Sequence, residues 1–248
     1  MRVMFILWLR QIKRYFRSRS RIVGAIGQPL LFLLALGYGL GSIYKSAGQG
    51  NYLQFLVPGI MAQTVLFSSM FYGAMIIFDR QFGFLKETLV APVGRLKIML
   101  GGALGGATTS VMQGILVFII SLALGFRPHS WLMAIIAIGF MAALAVAITS
   151  FSSGIGSFVQ DMQGFQAINQ FLVFPLYFLS GALYPLTHVP VWLRIIAEAN
   201  PISYTVDAMR WSMLGVSRFG IWHDCIALLL TLVVLIAFGA MRFRHIEA

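Results

Sequence analysis

Apolar positions along this chain come in long blocks, not in the strict alternation of strands. Six stretches are long enough to cross some 30 Å of hydrocarbon as helices of about 20 residues. They are roughly 22–44, 55–78, 98–124, 131–158, 168–186 and 222–241. The pattern predicts an all-α polytopic membrane protein, a single domain over 1–248 with six transmembrane helices. Ahead of the first span the period changes. At 100° per residue Phe5, Trp8, Leu9, Ile12 and Phe16 fall on one side, and Arg10, Lys13, Arg14, Arg17 and Arg21 on the other. Such a helix, over 1–21, suits the headgroup boundary and contact with membrane lipids.

Two connecting segments are too structured to be simple turns. Between spans two and three, residues 79–97 hold an expected helix from Phe82 to Val90, stopped before Pro92. Phe82, Leu85 and Leu89 share one face, Phe84 lies off it, and Lys86 and Glu87 are free for a partner. The helix either transmits force from a soluble motor or rests on the membrane surface alone. Between spans five and six, Val189–Ala199 is apolar with Trp192 and an Arg194–Glu198 pair at i,i+4. Asn200 and Pro201 then read as N-cap and first residue of another short helix, in which Asp207 and Arg210 stand at i,i+3. This segment is a re-entrant cap or a plain surface hairpin. Irregular backbone at membrane depth survives only against protein or a water-filled space.

The spans carry no mid-membrane Lys or carboxylate; Asp79, Arg80 and Asp161 sit at their ends. An ion-coupled transporter would need an intramembrane ionisable group or a broken-helix ion site. Uncharged polar residues are frequent, among them Gln63, Ser68, Gln113, Asn169 and Ser180, and with Tyr177 these are the candidates for a translocation path. The competing reading is hydrogen bonding between helices. Gly101, Gly102, Gly105 and Gly106 form overlapping small-xxx-small repeats, which let span three approach a neighbour closely. Pro58 and Gly59 open span two, and Pro175 is expected to kink span five.

Composition agrees and adds direction. Hydrophobic residues make up 59% and charged residues 10% of 248, so a soluble enzyme is excluded. Net charge is +11, but its placement argues topology and not nucleic acid. Seven basic residues lie in the first 21 positions, four are Arg80, Lys86, Arg95 and Lys97, and Arg242 and Arg244 close the chain. The opposite side holds only Lys45, Arg127, Arg194, Arg210 and Arg218. Both termini are therefore expected in the cytoplasm. Cys225 is the single cysteine, which excludes an internal disulfide.

Four blocks, in order, resemble the ABC-2-type membrane permeases of ATP-binding-cassette exporters, closest to the drug- and antibiotic-resistance branch. They are Phe55-Leu-Val-Pro-Gly59, the run from Phe82 to Arg95, the run from Pro175 to Pro185, and the run from Asn200 to Arg210. The likeness covers essentially the whole chain. It implies a dimer, homo- or heteromeric, in the plasma (inner) membrane of a bacterium or archaeon. It implies that 82–95 is a coupling helix docking on a separate ATPase subunit, with Phe82, Phe84, Lys86, Glu87, Pro92 and Arg95 at the contact. It implies that helices within 187–216 stand at the outer mouth, where Pro185, Asn200, Pro201, Tyr204, Asp207 and Arg210 would form a gate. ATP and Mg would be held by the partner, with no cofactor on this chain. Gly94 stands where the family often has Ser.

No G-x-x-x-x-G-K-[ST] run occurs, so the chain carries no phosphate-cradling loop of that type. A membrane-embedded enzyme would need paired acids, a Ser–His dyad or a metal cluster. His129, His188, His223 and His245 all fall at span ends or in loops. An ion-coupled transporter or a channel is the remaining alternative to an ATP-driven exporter of amphiphilic drugs, lipids or glycan-lipids.

Overall fold

The computed structural model describes residues 2–46, 50–90, 93–187 and 189–246. Every regular element among them is helical: α1 Arg2–Arg17, α2 Arg19–Gly39, α3 Gly41–Ser46, α4 Tyr52–Gln81, α5 Phe84–Val90, α6 Arg95–Ala123, α7 Trp131–Phe158, α8 Met162–Ile168, a π-helical turn Asn169–Val173, α9 Phe174–Phe178, α10 Val191–Ala199, α11 Pro201–Leu214 and α12 Ile221–Phe243. Five helices among the described residues, α2, α4, α6, α7 and α12, are long and apolar enough to cross a membrane.

The fifth expected span differs. In place of one helix over 168–186, helical structure starts six residues earlier. Asp161 caps α8 by accepting from the Gly164 amide at 2.6 Å. It ends at Phe178, so 17 residues reach only about 25 Å. Pro175 lacks an N–H and crowds the carbonyl one turn back, and the chain widens into the π turn just before it. Beyond Phe178 the chain turns, with Gly181 at φ +73°.

The expected interfacial helix is also shorter. It ends at Arg17, Ser18 breaks the backbone at φ −101° and ψ 83°, and Arg21 belongs to α2. Pro58 lies inside α4, not at its start; Asn51 caps that helix through the Leu53 amide, and the first turn falls ahead of Pro58.

α4 is the most enclosed helix, packed between α6 and α7, with α12 outside α7 and α1 outside α6. The glycine repeats in α6 serve two faces. A side chain at Gly101 or Gly105 would meet α1, at Met4 Cα (2.9 Å) and Gln11 Cβ (2.7 Å). On the other face a side chain at Gly102 would run into Tyr72 of α4, and one at Gly106 into Thr149 of α7 and the same tyrosine. Trp8 locks the first seam by donating from Nε1 to Thr108 Oγ1 at 3.1 Å. Between α4 and α7, Ser152 donates to the Met70 carbonyl at 2.6 Å and accepts from the Gly73 amide at 2.8 Å. Gly156 lets that seam close, since a Cβ there would lie 2.5 Å from the Gly73 carbonyl.

Candidate functional site

Three places bring expected residues together: each end of the bundle and a cavity between them.

At the end carrying both described termini, α5 is held down by one face only. Leu85 is buried and Leu89 partly so, against Tyr72, Ile76, Ile98, Met99, Phe243 and Ile246 from α4, α6 and the end of the chain. Phe84 is 54% exposed, and Lys86, Glu87 and Arg95 are exposed. Phe82 stands outside the helix, which is a correction to its expected start. It follows the last turn of α4, is 70% exposed and stacks on Phe78. Gly83 at φ +79° makes the turn that separates the two helices. Pro92 lies outside the described residues. Arg95 donates to the Arg244 carbonyl at 2.6 Å, tying α6 to the chain end.

The same end holds contacts that the sequence did not reveal. Asp79 takes a hydrogen-bonded ion pair from Arg10 and a second from Arg14 at 3.1 Å, linking α1 to the base of α4. Next to it, Arg80 donates to the carbonyls of Ser157 (2.6 Å) and Val159 (3.0 Å), satisfying the frayed end of α7. A partial signal existed for the first: an acid-free basic helix favours any acid at the same end of the bundle, and Asp79 and Asp161 were the two span-end acids available.

At the opposite end, three of the four sequence blocks converge. Gly59 of α4 packs directly on the Ala182 backbone; a Cβ there would lie 3.1 Å from its Cα and closer still to its carbonyl oxygen. Tyr52 donates to the Leu183 carbonyl at 2.7 Å, and Pro185 is half-buried just beyond. Arg210 lies over the Phe55 ring, 3.9 Å from its centre, and donates to the Gly181 carbonyl at 3.2 Å. Asn200 caps α11 through the Ile202 amide at 3.0 Å, ahead of Pro201, and its own amide donates to the Leu176 carbonyl at 2.5 Å. Tyr204 donates to the Glu198 carbonyl and its ring meets Phe219.

Two expected ion pairs here are not formed. Asp207 does not hold Arg210. Its Oδ2 instead accepts from Ser217 Oγ (3.0 Å), the Arg218 amide (2.8 Å) and the Phe219 amide (2.9 Å), closing the loop between α11 and α12. Three converging donors satisfy a buried carboxylate better than one guanidinium, which itself finds a carbonyl and a ring. Arg194 and Glu198 form no ion pair either; among the described residues both such pairs belong to Asp79. The reading from sequence also passed over Asp224, wholly buried in the first turn of α12 with neither carboxylate oxygen hydrogen-bonded among the described residues.

Between the ends, a cavity of about 520 Å³ is lined from α1, α2, α4 and α6. Gln63, Ser68 and Gln113 of the expected path line it. Asn169, Tyr177 and Ser180 do not. Tyr177 is buried behind Phe67, with ring centres 6.1 Å apart, and Ser180 donates back to the Tyr177 carbonyl. Asn169 sits in the π turn, where its carbonyl accepts from the Phe174 amide.

The family model described as ABC-2 type transporter matches residues 2–214. The chain belongs to the ABC-2 type transporter family. This ABC-2 chain is 30% identical to the transport permease ycf38 of Cyanophora paradoxa, over 97% of its own length and 86% of the relative's. It is 28% identical to the inner membrane transport permease YadH of Escherichia coli K12, over 85% and 82%. Nodulation protein J of Rhizobium leguminosarum bv. trifolii is 27% identical, over 79% and 75%. The ABC-2 chain is thus a membrane-embedded transport permease, like the relatives it matches, and its family implies in general an ABC ATPase partner.

Proposed function

We propose that the chain is the transmembrane subunit of an ABC exporter that moves an amphiphilic drug, lipid or glycan-lipid out of the cytoplasm or inner leaflet. ATP and Mg are used by a separate ATPase subunit. The observation that carries the reading is α5, a short helix seated on the bundle by Leu85 and Leu89 while Phe84, Lys86 and Glu87 face outward. That arrangement supports a lever: a push on the exposed face reaches α4, α6 and α12 through one shared apolar cluster.

In this reading the basic end lies in the cytoplasm and the 187–216 segment at the outer mouth, with both termini inside. The short run from α8 to α9 makes the fifth of six crossings, and a second permease chain completes the path. Phe171, 82% exposed on that run, supports an apolar contact there. Substrate must bind the inward state better than the outward one, because only a difference in affinity can be driven.

Co-purification in gentle detergent tests the pairing: a stoichiometric ATPase with a phosphate-binding loop is expected. Glu87→Ala should leave membrane insertion intact and lower substrate-stimulated ATPase activity. Unchanged stimulation removes Glu87 from the coupling contact. Absence of any ATPase, even after crosslinking through α5, overturns the reading.

A further inference from the structure

The cavity between α1, α2, α4 and α6 has a chemistry of its own. Its volume, about 520 Å³, falls in the range of ligand sites. All its lining residues among those described are uncharged. At its wall Gln63 is 1% exposed, and neither its amide nitrogen nor its carbonyl oxygen has a partner among the described residues. Gln113, at 4%, leaves its carbonyl oxygen unpartnered as well. Buried amides in hydrocarbon are costly unless something satisfies them.

The neighbouring hydroxyls set the polarity of that something. Thr64, Ser68 and Thr109 each donate to a carbonyl of their own helix, at 2.9, 2.6 and 2.8 Å. Their remaining lone pairs join the two glutamine oxygens as acceptors. Beside these acceptors stand the unpartnered Gln63 amide N–H groups, so the wall matches a guest whose hydroxyls both donate and accept. Among the described residues a charged head would find no counter-charge and would lose its hydration uncompensated. Phe67 and Phe71 supply apolar faces, and Phe71 is 62% exposed, so it also borders the bilayer.

We propose that this intraprotomer cavity binds the uncharged, polyhydroxylated head of an amphiphile, with the chain leaving past Phe71 into lipid. The inference deepens, and rests on, the reading of the chain as an amphiphile permease.

The test uses the permease with its ATPase in nanodiscs without nucleotide. Two photoreactive probes share one diazirine-bearing alkyl chain; one carries a glucoside head, the other a trimethylammonium head. Adducts are mapped by mass spectrometry. The glucoside probe should label α4 and α6 around Gln63 and Gln113 and be competed by unlabelled octyl glucoside. Gln63→Leu should lower that yield about fivefold, the effect of one lost hydrogen bond, and Gln63→Asn should lower it less. Should Gln63→Leu fail to co-purify with the ATPase, Gln113→Leu carries the same expectation. Equal labelling by both probes, no labelling of these helices, or an unchanged yield in the assembled leucine variant overturns the site. Loss of labelling with the ATPase still bound leaves the permease reading standing; labelling without a co-purifying ATPase does the reverse.

Discussion

Asp207 gives the sharpest quantitative expectation, because the structure replaces an ion pair with a loop clamp. Its buried carboxylate receives three hydrogen bonds from Ser217, Arg218 and Phe219. A hydrogen bond to a charged acceptor contributes roughly 1.5–3 kcal/mol against about 1 for a neutral one. The loop is only half-covered, with Arg218 exposed, so water recovers much of what Asp207→Ala removes. A net local loss of about 2 kcal/mol remains after that discount. It raises the open population of the loop about 30-fold. Asp207→Asn keeps an acceptor in place and loses mainly the charge assistance, about 1 kcal/mol or about fivefold. Limited trypsin digestion of the assembled permease reads this directly. The rate of cleavage after Arg218, normalised to cleavage after the exposed Lys45, should rise in the order wild type, Asn, Ala. An unchanged rate in Asp207→Ala, or equal rates for Asn and Ala, would refute the clamp.

Gly59→Val should displace the segment around Ala182 and lower the melting temperature, at an overpacking cost of about 1–3 kcal/mol; an unchanged melt shows that the contact yields freely. Gly105→Leu should unseat α1, since a Cβ at this position would stand only 2.7 Å from Gln11 Cβ; Trp8 fluorescence and proteolysis after Arg10 report it, and unaltered signals argue against the seam. Asp79→Ala should cost only about 1 kcal/mol, because Arg10 and Arg14 are 39% and 40% exposed. High salt should shrink the difference from wild type, and a salt-independent loss would show that the pairs are shielded.

The sequence by itself determined the elements whose signal is local. Trp131–Phe158 has the expected bounds, and α4, α6 and α12 lie within a few residues of theirs, because a long apolar run in a membrane must be helical to satisfy its backbone. Asn200–Pro201 announced a helix start through cap chemistry that spans three residues. The glycine repeats in α6 announced a close approach, though not that α1, α4 and α7 would share them. Pro175 announced the distortion that appears as the π turn just before it, but average hydropathy could not see the turn at Gly181, so the fifth run came out shorter and earlier than its apolar content suggested.

Only the tertiary structure decided the partners. Asp207 and Arg210 are neighbours along α11, yet each found stronger company across space: backbone amides of the next loop for one, Phe55 and the Gly181 carbonyl for the other. Asp79 found α1, a helix some 65 residues away along the chain. Three of the expected path residues met in one cavity, while Tyr177 packed against Phe67 of α4 and Ser180 turned back to its own segment. Periodicity fixes which face a residue occupies on its helix. Which helix stands opposite that face depends on how all of them pack together, and that is not written in any local stretch.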